Sequence, residues 1–145
     1  MKVLVQKVIS AEVKVNQQIV SQIKNGLLLF IGIEKSDNPK QADFLARKVI
    51  NLRIFTDEND KMNLSVLNVK GEILVVSQFT LAANLNCGNR PGFDTAAAPK
   101  EAETLYEYFV FKLKEFNIAV KTGIFQADMK VSLINDGPAT FILEK

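Results

Sequence analysis

Val75-Val76-Ser77-Gln78-Phe79-Thr80-Leu81-Ala82-Ala83 reads as a β-type run that is apolar except for three polar residues in its middle. Period-2 alternation predicts one face carrying Val76, Gln78, Thr80 and Ala82, and another carrying Val75, Ser77, Phe79 and Leu81. Gln78 and Thr80 would then share a surface. Two readings compete: the hydroxyls bond nearby backbone where a strand ends, or the polar cluster serves a site.

Upstream of this run, Lys2 to Ile9 and Ala11 to Val15 read as two strands, and a hairpin around Asn16-Gln17-Gln18 leads into Ile19 to Ile23. Asn25-Gly26 signals a turn. The stretch Leu27 to Ile33 is too apolar to have a wet face, which predicts a central strand. Asn38 before Pro39 is a helix start, because proline at the first helical position sacrifices no bonded N–H. Ala42, Leu45, Ala46, Val49 and Leu52 recur at helical spacing, giving an amphipathic helix to about Leu52. Arg53-Ile54-Phe55 begins a short strand and Thr56 to Asn63 is a polar loop, whose Asp57, Glu58 and Asp60 do not fit EF-hand spacing. Gly71 opens the strand of the central run.

Downstream, Asn84 to Ala98 is a loop containing Gly88-Asn89-Arg90-Pro91-Gly92-Phe93. It lacks the Gly-Lys-Ser/Thr ending of a P-loop. Arg90 is either the head of an ordered arm reaching phosphate or ribose, or part of a surface turn. Pro99 opens a second helix with Ala102, Leu105, Tyr106, Phe109, Leu113 and Phe116 as its apolar stripe. Ile118 to Val120, Met129 to Ile134 and Ala139 to Leu143 read as strands. Runs of strands with two separated helices, and no regular βαβ alternation, predict an α+β fold. The expected architecture is a largely antiparallel, strongly curved or barrel-like β-sheet with two to three helices packed outside, formed by residues 1–145 as a single domain.

The chain's 145 residues suffice for one substantial core. No apolar run approaches the ~18 residues of a membrane span, and polar Gln6 and Lys7 interrupt the start before a signal-peptide core can form. A cytoplasmic protein without membrane contact is expected. One cysteine, Cys87, excludes an internal disulfide and a Cys-cluster zinc site, and reads as an incidental loop thiol. A net charge of +2 does not announce a nucleic-acid binder. The chain contains no histidine, which removes Ser-His-Asp and Cys-His catalysis, HExxH sites and the His-Cys zinc deaminases. A hydrolase with this composition works without imidazole. The options that remain are a carboxylate pair (Asp128 and Asp136), Thr80 as nucleophile, a metal, or backbone groups assisting the substrate's own chemistry.

A second unusual stretch, Asn135-Asp136-Gly137-Pro138-Ala139-Thr140, lies between apolar runs and reads alone as a turn. Together, Ser77-Gln78-Phe79-Thr80-Leu81-Ala82 and Asn135 to Thr140 resemble the two signature motifs of the D-aminoacyl-tRNA deacylase family. The resemblance extends through Val5-Gln6-Lys7-Val8, Arg53-Ile54-Phe55, Asp60-Lys61-Met62-Asn63, Gly88-Asn89-Arg90-Pro91, Leu105-Tyr106 and Gly123 to Met129. It implies a homodimer that cleaves the ester between a D-amino acid and the 3′ end of tRNA, with no cofactor and no metal. Ser77, Gln78, Phe79 and Thr80 are implied as the catalytic segment through their backbone N–H groups. Gly137 and Pro138, in a cis Gly-Pro that reaches into the partner's pocket, are implied to hold the substrate's amino group and reject L-amino acids. Met129, Phe125 and Arg90 are implied as further substrate contacts, and the terminal adenosine's 2′-hydroxyl is implied to assist water attack.

Three positions depart from the family pattern: Lys7 stands where arginine is usual, Gln126 where glycine is common and Gly92 where serine is common. The competing class is a non-catalytic dimeric module that grips nucleic acid. A metal-dependent hydrolase is a third reading, which sensitivity to a chelator would reveal.

Overall fold

The computed structural model describes residues 1–86 and 88–145; the lone Cys87 lies outside the described residues. Strand β1 (Lys2–Val15) is the spine of the molecule. Instead of two strands it is one, 14 residues long. One of its edges pairs antiparallel with β3 (Gly26–Gly32) and then with β2 (Gln18–Ile23), while β8 (Lys130–Glu144) runs antiparallel along the other. The β1–β2 connection turns at Asn16 and Gln17, both at positive φ (50° and 64°), the conformation a tight two-residue hairpin demands.

Beyond β3 the sheet continues in parallel: β6 (Glu72–Ser77) beside β3, then β7 (Val120–Thr122) beside β6. Parallel neighbours need crossover connections. The two helices lie in those crossovers, α1 (Pro39–Ile50) between β3 and β6 and α2 (Pro99–Lys114) between β6 and β7. The sheet is therefore mixed, antiparallel around β1 and parallel at β6. It curls into a nearly closed barrel. The remaining seam, between β7 and β2, is bridged by side chains: Ser21 Oγ donates to Thr122 O (2.8 Å) and Lys121 Nζ to Gln22 O (2.7 Å). Lys121 also meets the Glu72 carboxylate at 2.9 Å. The expected curved sheet with helices outside is present, with two helices.

Both faces of the sheet are apolar, as the unbroken run of β3 requires. Leu27, Leu29, Ile31, Ile73 and Val75 pack with the buried faces of the helices, among them Leu45, Val49, Phe109 and Leu113. Leu28, Leu74 and Val76 point the other way, to Val8, Ala11, Val13 and Ile23. Helix α1 starts as expected. Asn38 Oδ1 accepts from Lys40 N (3.0 Å), and Gln41 Oε1 accepts from Asn38 N (2.7 Å), closing a reciprocal cap. Helix α2 has no side-chain cap at Ala98.

Three local expectations change. The segment from Thr56 to Asn63 is a small hairpin, β4 (Phe55–Thr56) against β5 (Met62–Leu64), whose turn is tied by Asp57 Oδ1 to the N–H groups of Asn59 and Lys61. The stretch Asn135 to Thr140 is a bulge inside the continuous β8: Gln6 pairs with Thr140 and Val8 with Asn135, leaving residues 136–139 opposite Lys7 alone. The central run does not stay extended. Its strand ends at Ser77, and Phe79–Ala82 form a 3₁₀ turn.

That turn packs on the end of β3 at Gly32. A Cβ there would lie 2.6 Å from Leu81 Cβ and 3.4 Å from Gln78 O. Gly32→Ala is therefore expected to push the 3₁₀ turn off β3 and lower stability by about 1–3 kcal/mol. The urea midpoint, compared with wild type, checks this; an unchanged midpoint would contradict it.

Candidate functional site

The turn from β6 into the 3₁₀ helix shapes one wall of a cavity of about 710 Å³, lined by Ser77, Gln78 and Phe79 on that side and by Phe125, Gln126, Asp128 and Met129 on the other. Ile31, Ile33, Ala97 and Ala102 form an apolar floor that the sequence reading did not single out. Its volume suits a small-molecule ligand or the end of a larger one.

The backbone of the turn carries the chemistry. Gln78 N–H is occupied, donating to Ile31 O at 2.8 Å as the last rung beside β3. Leu81 N–H closes the turn on Gln78 O (3.1 Å). Between them, the N–H groups of Phe79 and Thr80 belong to the first residues of a 3₁₀ helix, which have no partner inside it. Gln78 at the cap makes no side-chain bond to them, and among the described residues neither N–H has a partner. Two adjacent donors at the edge of a cavity suit an oxygen that gains negative charge. Gln78 Nε2 donates to Thr80 Oγ1, so the two polar side chains do meet, through the turn and not through strand alternation.

The opposite wall is braced from beneath. Phe125 lies against Tyr106 with ring centroids 5.8 Å apart, and the Tyr106 hydroxyl donates to Val75 O at 2.9 Å. Burial pushes the Tyr106 phenol well above its ordinary range, so it remains a protonated strut. Gln126 sits at positive φ (60°), where glycine is at ease. Gly92 has room: a Cβ would meet nothing nearer than 3.8 Å.

Asp128 and Asp136 are not a pair. Asp128 lines the cavity but is tied to Lys130 (2.9 Å), whereas Asp136 lies in the β8 bulge and meets Lys7 Nζ at 3.0 Å. Lys7 is a buried cation on the core-facing side of β1, with its ammonium 5.9 Å from the Phe55 ring centroid. Asn135 Nδ2 donates to Lys7 O (3.1 Å). The bulge is thus held from both ends of one residue, by the Lys7 carbonyl and by its ammonium acting as a point charge. Within the bulge Gly137 and Pro138 are exposed, and their bond is cis. Neither residue lines the chain's own cavity, nor does Arg90, which sits exposed on the 84–92 arm. The predicted residues therefore separate on one chain: Ser77, Gln78 and Phe79 with Phe125 and Met129 line the cavity, Thr80 follows Phe79 in the turn without lining it, Gly137-Pro138 lie in the bulge, and Arg90 stands on the arm.

Residues 4–144 match the family model described as D-Tyr-tRNA(Tyr) deacylase. The chain belongs to this deacylase family. Among its relatives, a protein named D-aminoacyl-tRNA deacylase from Geotalea uraniireducens (strain Rf4) is 60% identical over 144 residues, covering 99% of this chain and 93% of that one. A protein of the same name from Pelobacter propionicus (strain DSM 2379 / NBRC 103807 / OttBd1) is 53% identical and covers both chains in full. Among solved structures, one described as c-Myc DNA Unwinding Element Binding Protein superimposes with a TM-score of 0.94 at 39% identity, over 100% of this chain and 99% of that one. Another, described as a probable eukaryotic D-amino acid tRNA deacylase, shares the fold at a TM-score of 0.82 and 16% identity, covering 98% and 97% of the two chains. Lys7, at the position where the resemblance implies arginine, has an acidic partner in Asp136.

The Lys7–Asp136 pair is asymmetric, with side chains 8% and 43% exposed. Asp136→Ala strands an ammonium away from water and is expected to cost about 1–3 kcal/mol. Lys7→Met fills the same volume and leaves a carboxylate that water can reach, so the expected loss is below about 1 kcal/mol. Urea midpoints of the two variants check the order; the reverse order would contradict this account of the bulge.

Proposed function

We propose that this chain hydrolyses the ester joining a D-amino acid to the 3′ end of tRNA, releasing the free D-amino acid and tRNA. It acts as a cytoplasmic homodimer in which residues 1–145 form one domain. The observation that carries the reading is the pair of N–H groups at Phe79 and Thr80 that have no partner among the described residues, in a turn that shapes one wall of a cavity, in a chain without histidine that belongs to the deacylase family.

In this mechanism water attacks the ester carbonyl carbon, and the carbonyl oxygen takes up negative charge between the N–H groups of Phe79 and Thr80. The bond to the ribose 3′-oxygen then breaks, with the attacking water's proton passing to that oxygen. Ser77 and Gln78 shape the approach, and Phe125 and Met129 form the wall opposite. The 2′-hydroxyl of the terminal adenosine assists the water, supplying what an imidazole supplies elsewhere. Arg90 meets ribose or phosphate from the arm.

Gly137 and Pro138 enter the cavity of a second chain, where their carbonyls hold the substrate's amino group and leave room for the α-hydrogen of a D-amino acid but not for an L side chain. Their exposure in the bulge, away from their own cavity, supports this arrangement. So does the apolar strip around them: Ile142 is 65% exposed beside Leu4, Ile134 is 57% exposed beside Ser10, and Ile9 is 55% exposed. Covering such a strip releases ~25 cal/mol per Å², and the two-fold pairing common in homodimers would present each bulge to the other chain.

A second reading, nucleic-acid binding without turnover, is favoured by the name of the solved structure at 39% identity. Purified chain assayed on D- and L-aminoacyl-tRNA separates the two: rapid release from the D form alone is expected, and binding without release would leave the second reading. Within the same assay Thr80→Ala is expected to lose activity only modestly, because its N–H survives. Phe79→Pro removes an N–H at a position where proline fits a helical start, and Gln78 before it already lies outside the helical region (φ −141°, ψ 79°). A loss on the order of 10²–10³ in kcat is expected, against unchanged kcat in Phe79→Ala. Drastic loss in a folded Thr80→Ala would instead make the hydroxyl the nucleophile.

A further inference from the structure

We propose that Phe79 and Phe93 form a stacking platform for an unpaired base of the substrate's 3′ strand, just outside the cavity that receives the aminoacyl end. This deepens the reading above and rests on it. The rings lie 5.0 Å apart at an interplanar angle of 50°, yet Phe79 remains 58% exposed and Phe93 39% exposed. Phe79 lines the cavity and Phe93 does not, so the pair leads from its lip outward over the surface.

The arm that presents Phe93 is fixed in place. Asn84 and Gly92 exchange backbone hydrogen bonds (2.8 and 3.0 Å), and Ala96 N–H donates to Phe93 O (3.0 Å). Thr95 Oγ1 donates to Ala82 O (2.6 Å), tying the arm to the end of the 3₁₀ turn, and Ala97 N–H donates to Ile33 O (3.0 Å). Such fastening needs backbone and one hydroxyl, and leaves the two rings unexplained. Arg90 stands exposed on the hairpin that Asn84 and Gly92 close.

Exposed aromatic faces, with a cation elsewhere on the same arm, are what a single nucleic-acid strand requires: bases stack on the rings and the cation follows the phosphates. Continuity selects this occupant. A substrate with its ester at Phe79 and Thr80 N–H must lead its preceding nucleotides out across that lip. The base held is one or two nucleotides before the esterified adenosine.

Steady-state kinetics on D-aminoacyl-tRNA and on D-aminoacyl-adenosine, which has no preceding nucleotide, test the platform with wild type, Phe93→Leu and Phe93→Trp. Phe93→Leu keeps apolar bulk without a π-face. It is expected to raise KM for D-aminoacyl-tRNA roughly tenfold with kcat held, and to leave D-aminoacyl-adenosine hydrolysis at the wild-type rate. Phe93→Trp should restore the lower KM. Equal losses on both substrates would assign Phe93 to packing of the cavity, and no loss on either would remove it from the substrate's path; each overturns the platform alone. Wild-type inactivity on both would overturn the hydrolase reading and the platform with it.

Discussion

The hydrogen bond from Gln78 N–H to Ile31 O ends the parallel ladder between β3 and β6, and the candidate site depends on where that ladder stops. One residue later the backbone leaves the strand for a 3₁₀ turn, and the donors of Phe79 and Thr80 come away from the sheet without partners among the described residues. Gly32 permits the turn to sit close to β3. The buried Tyr106 hydroxyl grips Val75 O two residues before the strand ends, fixing the same strand to α2. A chain with no histidine thereby presents a rigid pair of main-chain donors, set by a barrel strand and not by a mobile side chain.

The position of the Gly137-Pro138 bulge depends on β1. Because β8 follows its whole length and β3 and β2 share the other edge, β1 holds the bulge of residues 136–139 in a fixed relation to the barrel. Lys7 is the hinge of that relation, with its carbonyl bonded to Asn135 and its ammonium to Asp136. The bulge leaves Gly137 and Pro138 on the outside of their own chain among exposed isoleucines. In the proposed arrangement, the cavity of one chain and the Gly137-Pro138 bulge of a second are complementary halves of one site.

Much of this was legible in the residues. The unbroken apolar run of β3, the Asn38-Pro39 helix start and the stripe of α2 each follow from short-range chemistry, and each is present at its expected place. The run from Val75 to Ala83 was read as extended throughout because its alternation is regular; tertiary packing at Gly32 instead turned it at Ser77. Asn135 to Thr140 carries turn residues, yet pairing with β1 on both sides absorbs them as a bulge, and no local pattern distinguishes the two. The parallel pairing of β6 was hidden for a similar reason. Its crossovers contain long loops besides the helices, so they do not look like βαβ units. Of the candidate site, Ser77, Gln78, Phe79, Phe125 and Met129 line one cavity, with Thr80 beside it in the turn and Gly137, Pro138 and Arg90 apart from it, whereas the partnership of Phe79 with Phe93 had no signal beyond two phenylalanines 14 positions apart.

The central claim, that one working site is assembled from two chains, is tested most directly by mixing two inactive variants. Phe79→Pro disables the donor side, and Gly137→Val places a branched side chain where the partner's cavity would receive the bulge; the nearest atom to a Cβ there is Asn135 Oδ1 at 3.3 Å, so the chain itself has room to adjust. Each variant alone is expected to be a folded, nearly inactive dimer. After subunit exchange, verified by mass spectrometry of the mixed species, D-aminoacyl-tRNA hydrolysis should reappear, because each mixed dimer contains one site with both halves intact. Verified exchange without any return of activity would contradict a composite site and confine the chemistry to a single chain.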